Sequence, residues 1–369
     1  MSFMKSYAKY AKKQLGVLQE QIETALAQYL QSDFCTEAYN YHCVAAKAAD
    51  IFKDVVTRPA KRLRGAFVLE SYNMFSKKPS VEVMKAAVAI EVVHAYLLII
   101  DDFNDRSNLR RGLPTAHRLH ETYHIQHKMT GDALHYGYSQ AAVSGLFGMH
   151  HASNLLLSMD FPPERLIRAL QGVNDAINVT AYGQIRDIFN QQGPNTVEHD
   201  VLEVHRLKTA HYTYFNPLQL GATLAGETAN SIARFNTYAE NAGIAFQIQD
   251  DILGVYGDPK DTGKSNMDDI MEGKATLLTV YAYANATLAQ KEILDKTLGN
   301  RELEKTPDLF AQVQQVIIDT GSLEHSKEVA QELVRKAKNS MYKEFPEFID
   351  NDGFKFIVGV ADYMIERKL

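Results

Sequence analysis

The sequence predicts an all-α fold on three observations. Apolar residues recur at separations of three and four through most of its 369 positions, the spacing that lines one face of a helix. Convincing period-two alternation between turn signals, the mark of a half-buried strand, is absent. Helix stops punctuate the chain at Phe161-Pro162-Pro163, Gln192-Gly193-Pro194, Gly257-Asp258-Pro259 and Phe345-Pro346.

Taken in order, an amphipathic helix is expected over about 5–31, then apolar-periodic helices over 36–56 and 62–76. The next, 80–105, is an apolar run that ends in acids, and 114–121 follows a basic pair. Helices 129–158 and 163–190 meet at the double proline, and the second stops before Gly193-Pro194. Periodicity continues over 197–213, 216–224 and 229–256, the last halting at Gly257. Helices over 273–284, 287–298, 307–319, 322–342 and 351–367 complete the chain. The polar stretch Gly257 to Lys274 resists helix assignment, and its regular Gly and Lys placement suggests a lid. No linker, low-complexity tract or repeat divides the sequence, so residues 1–369 read as a single all-α domain.

Hydrophobic residues at 46% and charged residues at 23% describe an ordinary soluble globular chain. A net charge of -6 argues against a nucleic-acid partner, which rewards strongly basic surfaces. Cys35 and Cys43 form neither a CxxC nor a disulfide framework, so packing thiols in a reducing, cytoplasmic compartment are expected. Lys5, Lys9, Lys12 and Lys13 interrupt the N-terminus, which lacks the apolar core of a secretory signal. The apolar stretch Ala86 to Ile100, broken by Glu91 and His94, reads as too short to span a bilayer, and no transmembrane segment is expected.

The chain is organised around Glu91-Val-Val-His94-Ala-Tyr96-Leu97-Leu98-Ile-Ile-Asp101-Asp102-Phe-Asn-Asp105, with Arg110-Arg111-Gly112 just beyond. At 3.6 residues per turn, separations of seven and eleven nearly close whole turns, so His94, Leu98, Asp101 and Asp105 share one face. Asp102 points roughly 100° away. Two carboxylates one turn apart repel unless a cation lies between them, which suits a divalent metal held for a phosphate-bearing substrate. Because large apolar residues precede them, these acids lie at the mouth of a pocket. A second cluster, Phe246-Gln247-Ile-Gln-Asp250-Asp251-Ile-Leu-Gly254, places Gln247, Asp250, Asp251 and Gly254 in an i, i+3, i+4, i+7 stripe and is expected to form the opposite wall. Bound Mg²⁺ would keep such carboxylates ionised where burial alone would protonate them.

Basic residues stand beside these acids: Lys61-Arg62-Leu-Arg64, Arg110-Arg111, Lys208, Lys264 and Lys274. Two acidic platforms with several cations fit a diphosphate site, and guanidinium is suited to bidentate phosphate contact. His94, deeper on the acid-bearing face, is a further candidate phosphate ligand.

In this order the residues resemble the trans-type isoprenyl diphosphate synthases, or polyprenyl synthetases, from about residue 55 to 280. Pro59-Ala-Lys61-Arg62-Leu-Arg64 is similar to the family's GGKRxR element. ExxH ending in DDxxD follows, then Leu109-Arg-Arg-Gly-Leu-Pro-Thr-Ala-His117 for LRRGxPTxH. Gly183-Gln184-Ile-Arg-Asp187, Lys208-Thr209-Ala, Phe246-Gln247-Ile-Gln-Asp250-Asp251 and Gly257-Asp-Pro-Lys-Asp-Thr-Gly-Lys264 with Glu272-Gly-Lys274 complete the series.

The resemblance implies an isoprenoid synthase-type helical bundle around a central cavity, normally a homodimer, joining isopentenyl diphosphate to an allylic diphosphate with three Mg²⁺. It implies that Asp101 and Asp105 hold two ions and Asp250 the third, with Asp102 and Asp251 beside them. Arg110, Lys208 and Lys264 would contact the allylic diphosphate, and Lys61, Arg64, His94 and Arg111 the isopentenyl diphosphate, with Lys274 a further binding residue. The Lys208 carbonyl, Thr209 and the Gln247 amide would stabilise the allylic cation. Tyr96 and Leu97, five and four positions before the first acid, would set product length. A short-chain product is expected, geranylgeranyl diphosphate favoured and farnesyl diphosphate next. A terpene cyclase and a non-catalytic synthase subunit are the rival readings. The first lacks use for the isopentenyl site, and the second usually loses acids from the first motif. Two departures stand out: Pro59-Ala60 replace a glycine pair, and Gly254 replaces the third aspartate of the second motif.

Overall fold

A computed structural model describes residues 6–76, 78, 80–192, 196–258, 265–303 and 306–366, and nearly all regular structure in them is helical. Two compact units organise the chain: Lys13–Gln171 with Leu220–Glu227, and Met1–Lys12 with Gly172–Gln219 and Thr228–Leu369.

The first unit contains most of α1 (Ala8–Ser32), then α2 (Thr36–Tyr41), α3 (Cys43–Thr57), α4 (Leu63–Phe75), α5 (Val83–Asn104), the hairpin β1 (Leu109–Arg110) and β2 (Leu113–Pro114), α6 (Ala116–Gln126) and α7 (Ala133–Leu157). α5 is apolar on nearly every side and is therefore surrounded, with α3, α4, α6 and α7 packed against it. By length and composition alone the whole helix would be enough to cross a membrane. Most of it is buried within its unit, as in a core helix. α7 comes close to α5 because it presents glycine there. A Cβ at Gly145 would lie 2.9 Å from Cδ2 of Tyr96, and one at Gly148 would lie 2.4 Å from Cζ of Phe52.

Two local features depart from the helical expectation. The helix foreseen over 36–56 breaks at His42, whose extended backbone and side chain cap α3 by accepting from Val44 N. The segment after Asp105 forms a hairpin whose turn residues Arg111 (φ 56°) and Gly112 (φ 74°) are both left-handed, the twist that a two-residue hairpin loop requires.

The second unit contains most of α8 (Pro163–Gln192), then α9 (Glu198–Val204), a π-helix (His205–Phe215), the start of α10 (Asn216–Ala225), α11 (Ala229–Ala233), α12 (Asn236–Tyr256), α13 (Asp268–Glu272), α14 (Leu277–Asn285), α15 (Leu288–Thr297), α16 (Pro307–Asp319), α17 (Ser322–Glu344) and α18 (Asp352–Ile365). α12 is its axis, packed by the π-helix, α17 and α18. The wide turns of the π-helix bridge the break foreseen at 214–215, so helix continues from Glu198 into α10. A Cβ at Gly243 of α12 would meet Cα of Ala210 at 2.4 Å, so glycine is what lets the π-helix approach. Within the polar stretch expected to be helix-free, Asp268–Glu272 forms α13, while residues 259–264 lie outside the described chain.

α6 turns His117, His120 and His124 inward. Burial, with Arg118 nearby, lowers His117 from 6.5 to about 4, and burial with Lys47 does the same for His120. Below the unfolded value the unfolded chain takes up protons that the folded chain refuses, so stability is full above pH 6.5 and drains as pH falls toward 4. Thermal melting across this window is expected to show a falling midpoint, with a shallower fall in His120→Leu. An equal slope in that variant would contradict the assignment.

Candidate active site

The acid-bearing end of α5 divides its three carboxylates between two tasks. Asp101 lies in the last turn and Asp105 caps it, donating its amide to the Asp101 carbonyl at 2.9 Å, so the i, i+4 pair shares a face. Asp102 turns inward and is 1% exposed. Arg110 grips it, with Nε and Nη2 each 2.6 Å from Oδ1, while Nη2 stands 3.5 Å from Asp101 Oδ2. Burial opposes the charge of Arg110, but Asp102 and Asp101 outweigh it and its pKa is raised. The pair therefore fixes the hairpin arginine to the end of α5.

The remaining cations surround this pair. Arg62 is buried, 3.5 Å from Glu91 and 3.6 Å from Glu23, and its Nη2 donates to the carbonyls of Val56 and Arg58. Glu91 also accepts the amide of Gly65 at 2.9 Å, which ties α5 to the start of α4. Lys61 and Arg64 are partly buried on either side of this anchor. Among the described residues Arg111 has no carboxylate at ion-pair distance. Burial, then Arg62 and Arg110, lower it to about 10, so it stays protonated at neutral pH. Glu91 acts on it only at longer range, and a partly buried cation without a carboxylate at ion-pair distance offers a place for an anion. His94 is driven well below 6.5 by burial and by Arg64 and Arg111, so it is neutral and offers a hydrogen bond rather than a charge.

The second unit carries a hydrogen-bonded chain on α12 and the π-helix. Thr209 Oγ1 donates to Gln247 Oε1 at 2.7 Å, and Gln247 Nε2 donates to Asp251 Oδ1 at 2.8 Å. His205 Nε2 lies 3.1 Å from Asp251 Oδ2, and Lys208 Nζ donates to Asp187 Oδ2 at 2.8 Å. Asp251 is thus committed to Gln247 and His205, and Asp250 is the acid beside it. A Cβ at Gly254 would meet Asp269 Oδ2 at 2.2 Å, so the carboxylate of α13 fills the space where the resemblance expects an aspartate side chain. Lys274 stands 3.4 Å from Asp269 and 3.1 Å from Glu272, so this expected substrate residue is engaged by two carboxylates here. Lys264 lies outside the described residues.

Among the described residues no three His, Cys, Asp or Glu side chains cluster to cage a metal. Mg²⁺ is commonly held by one or two carboxylates, with substrate phosphates and water completing its shell, and the Asp101/Asp105 pair fits that donor set. Sequence reasoning missed Arg58, His205 and Asp269. Only Asp187 had a signal, as the end of Gly183-Gln184-Ile-Arg-Asp187.

Residues 46–316 match the Polyprenyl synthetase family model, more than half of the chain. The chain is 31% identical over 310 residues to a geranylfarnesyl diphosphate synthase of Aeropyrum pernix, covering 83% of this chain and 90% of that one. It is 31% identical over 286 residues to a geranylgeranyl diphosphate synthase of Sulfolobus acidocaldarius, covering 77% and 81%. The crystal structure of a geranylgeranyl pyrophosphate synthase from Corynebacterium glutamicum, complexed with isoprenyl diphosphate and magnesium, superposes with a TM-score of 0.87 at 28% identity over 95% of this chain and 99% of that one. The chain belongs to the polyprenyl synthetase family and is a prenyl diphosphate synthase, a prenyltransferase.

Unequal burial of the acids gives a direct check. Asp102→Asn leaves Arg110 without its buried counter-charge and is expected to lower stability by about 3 kcal/mol or more. Asp101→Asn, at a 22% exposed side chain, is expected to change it by less than about 1 kcal/mol. Urea denaturation midpoints of the two variants test this, and equal losses would contradict the division of tasks.

Proposed function

We propose that the enzyme condenses isopentenyl diphosphate with an allylic diphosphate head-to-tail in the presence of Mg²⁺, with geranylgeranyl diphosphate the favoured product and farnesyl diphosphate next. The observation that carries this reading is Arg111, a charged, partly buried arginine with no carboxylate at ion-pair distance among the described residues, next to an arginine fixed by Asp102 and close in sequence to an i, i+4 acid pair. Such a group is prepared for a diphosphate.

In this reading Asp101 and Asp105 would hold two Mg²⁺ and Asp250 a third, and the bound metal would supply charge neutralisation for a diphosphate leaving group. Asp102 and Asp251 act as anchors for Arg110 and Gln247. Arg110, Lys208 and Lys264 bind the allylic diphosphate. Lys61, Arg64 and Arg111 bind the isopentenyl diphosphate, neutral His94 donates a hydrogen bond to it, and Lys274 contributes once its carboxylate partners are displaced. The allylic C1–O bond breaks and the diphosphate leaves with the electron pair. The isopentenyl double bond then attacks C1, and a proton passes from the new chain to the diphosphate. Thr209, the Lys208 carbonyl and the Gln247 amide oppose the transient positive charge with their dipoles. Gln247 is held in one orientation because Thr209 donates to its oxygen and Asp251 accepts from its nitrogen.

Two features support the finer points. Tyr96 packs its ring beside Gly145 of α7, and Leu97, four residues before Asp101, lies about 40° from it around the helix, so both remain candidates for setting product length. Tyr182, Ile185 and Phe189 of α8 stand 61%, 66% and 71% exposed at i, i+3, i+7 spacing, an apolar stripe suited to a second copy of the chain.

Labelled isopentenyl diphosphate, supplied with each allylic primer and Mg²⁺, is expected to be incorporated by the pure protein, and absence of incorporation would sink the reading. Under the same conditions Tyr96→Ala is expected to lengthen the product. Chromatography showing an unchanged chain length would remove Tyr96 as the ruler.

A further inference from the structure

The hairpin that carries Arg110 and Arg111 cannot hold its own shape. It has two residue pairs, and Leu109 and Leu113 are 50% and 45% exposed, so neither strand is pinned by a buried side chain of its own leucine. A two-stranded hairpin of this kind is marginal in water. Its turn also places Arg111 at φ 56°, a conformation that β-carbon-bearing residues resist. Something outside the hairpin must fix it.

Asp102 holds the side chain of Arg110, and Arg58, the C-cap of α3, restrains the backbone of both strands. Its side chain is 3% exposed, and its planar fork reaches three places at once. Nη2 donates to the carbonyl of Pro114 on β2 at 2.7 Å and to Asp54 Oδ2 at 2.6 Å, and Nη1 donates to the carbonyl of Arg110 on β1 at 3.2 Å. The contact is reciprocal, because Arg111 Nη1 donates to the carbonyl of Arg58 at 3.0 Å. Arg62 Nη2 shares that carbonyl at 3.1 Å. One residue therefore joins both strands to the segment bearing Lys61, Arg62 and Arg64.

We propose that Arg58 is a positioning residue: it clamps both hairpin strands to the end of α3 so that the guanidinium groups of Arg110 and Arg111 are held ready for diphosphate. The proposal rests on the assignment of those two arginines to diphosphate given above. Arg58 itself needs no contact with substrate. A lysine in its place keeps the charge beside Asp54 and one carbonyl, but has no fork to span both strands.

The test uses the full chain and inorganic pyrophosphate with Mg²⁺, titrated by calorimetry into wild type, Arg58→Ala and Arg58→Lys, with KM and kcat measured for isopentenyl diphosphate alongside. Displacing a binding group by about 1 Å can cost up to about a hundredfold. Arg58→Ala is accordingly expected to weaken pyrophosphate binding and raise KM by about tenfold or more, with a smaller change in kcat, and Arg58→Lys to recover part of the loss. Folded variants with wild-type affinity and KM would overturn the proposal, even if their melting points fall, because a purely structural role predicts that pattern. If Arg58→Ala does not fold, Arg58→Lys decides by the same criterion. Absence of pyrophosphate binding to the wild type would instead overturn the diphosphate assignment of the site.

Discussion

The buried contact between Asp102 and Arg110 is the interaction on which the acid-bearing site depends. It commits Asp102 to Arg110, which also reaches Asp101 at 3.5 Å, and so fixes one cation at the acid-bearing end of α5. Two further buried or partly buried pairs follow the same logic: Arg58 with Asp54 and Arg62 with Glu91. The outcome is selective satisfaction. Arg58, Arg62 and Arg110 are paired with carboxylates inside the protein, Arg111 has no carboxylate at ion-pair distance among the described residues, and Asp101 and Asp105 lie one turn apart at the end of α5.

The second unit reaches a similar result with neutral groups. Gly243 admits the backbone of Ala210, and that close approach aligns the π-helix with α12 so that Thr209, Gln247 and Asp251 form one chain of hydrogen bonds. An α-helix of ordinary pitch would not carry an extra residue over the same rise, and π-helical turns commonly mark functional sites for that reason. In the proposed reaction the dipoles of this chain are set by these hydrogen bonds in advance, so they would not need to reorganise as positive charge develops.

Much of this was legible in the sequence because it follows from helical periodicity. The face shared by His94, Asp101 and Asp105, the inward angle of Asp102 and the polar stripe on α12 all come from counting residues per turn. What stayed hidden depends on partners distant in sequence or on the backbone. Arg58 looks like a surface charge because its acceptors, other than Asp54, are main-chain carbonyls on the hairpin. Asp269 was unreadable because its relation to Gly254 is a filled space, visible only when α13 is placed against α12. His42 divided an expected helix through a capping bond that periodicity does not register.

Pro59-Ala60 stand where the resemblance has a glycine pair. The left-handed residue of the segment is instead Arg62, at φ 52°, and neither Pro59 nor Ala60 has positive φ. Glycine is therefore not demanded at 59 or 60. For a residue with a β-carbon that conformation costs roughly 1–2 kcal/mol, and Arg62 offsets it through buried hydrogen bonds to Val56 and Arg58 and its pairing with Glu91. Arg111 is left-handed for the same reason in the hairpin and is likewise restrained through the carbonyl of Arg58. Strain persists only where the surroundings over-determine it. Here both strained positions are arginines of the cationic cluster, and both are held by one carbonyl, so the freedom that glycine would have given this loop is replaced by a rigid, hydrogen-bonded geometry.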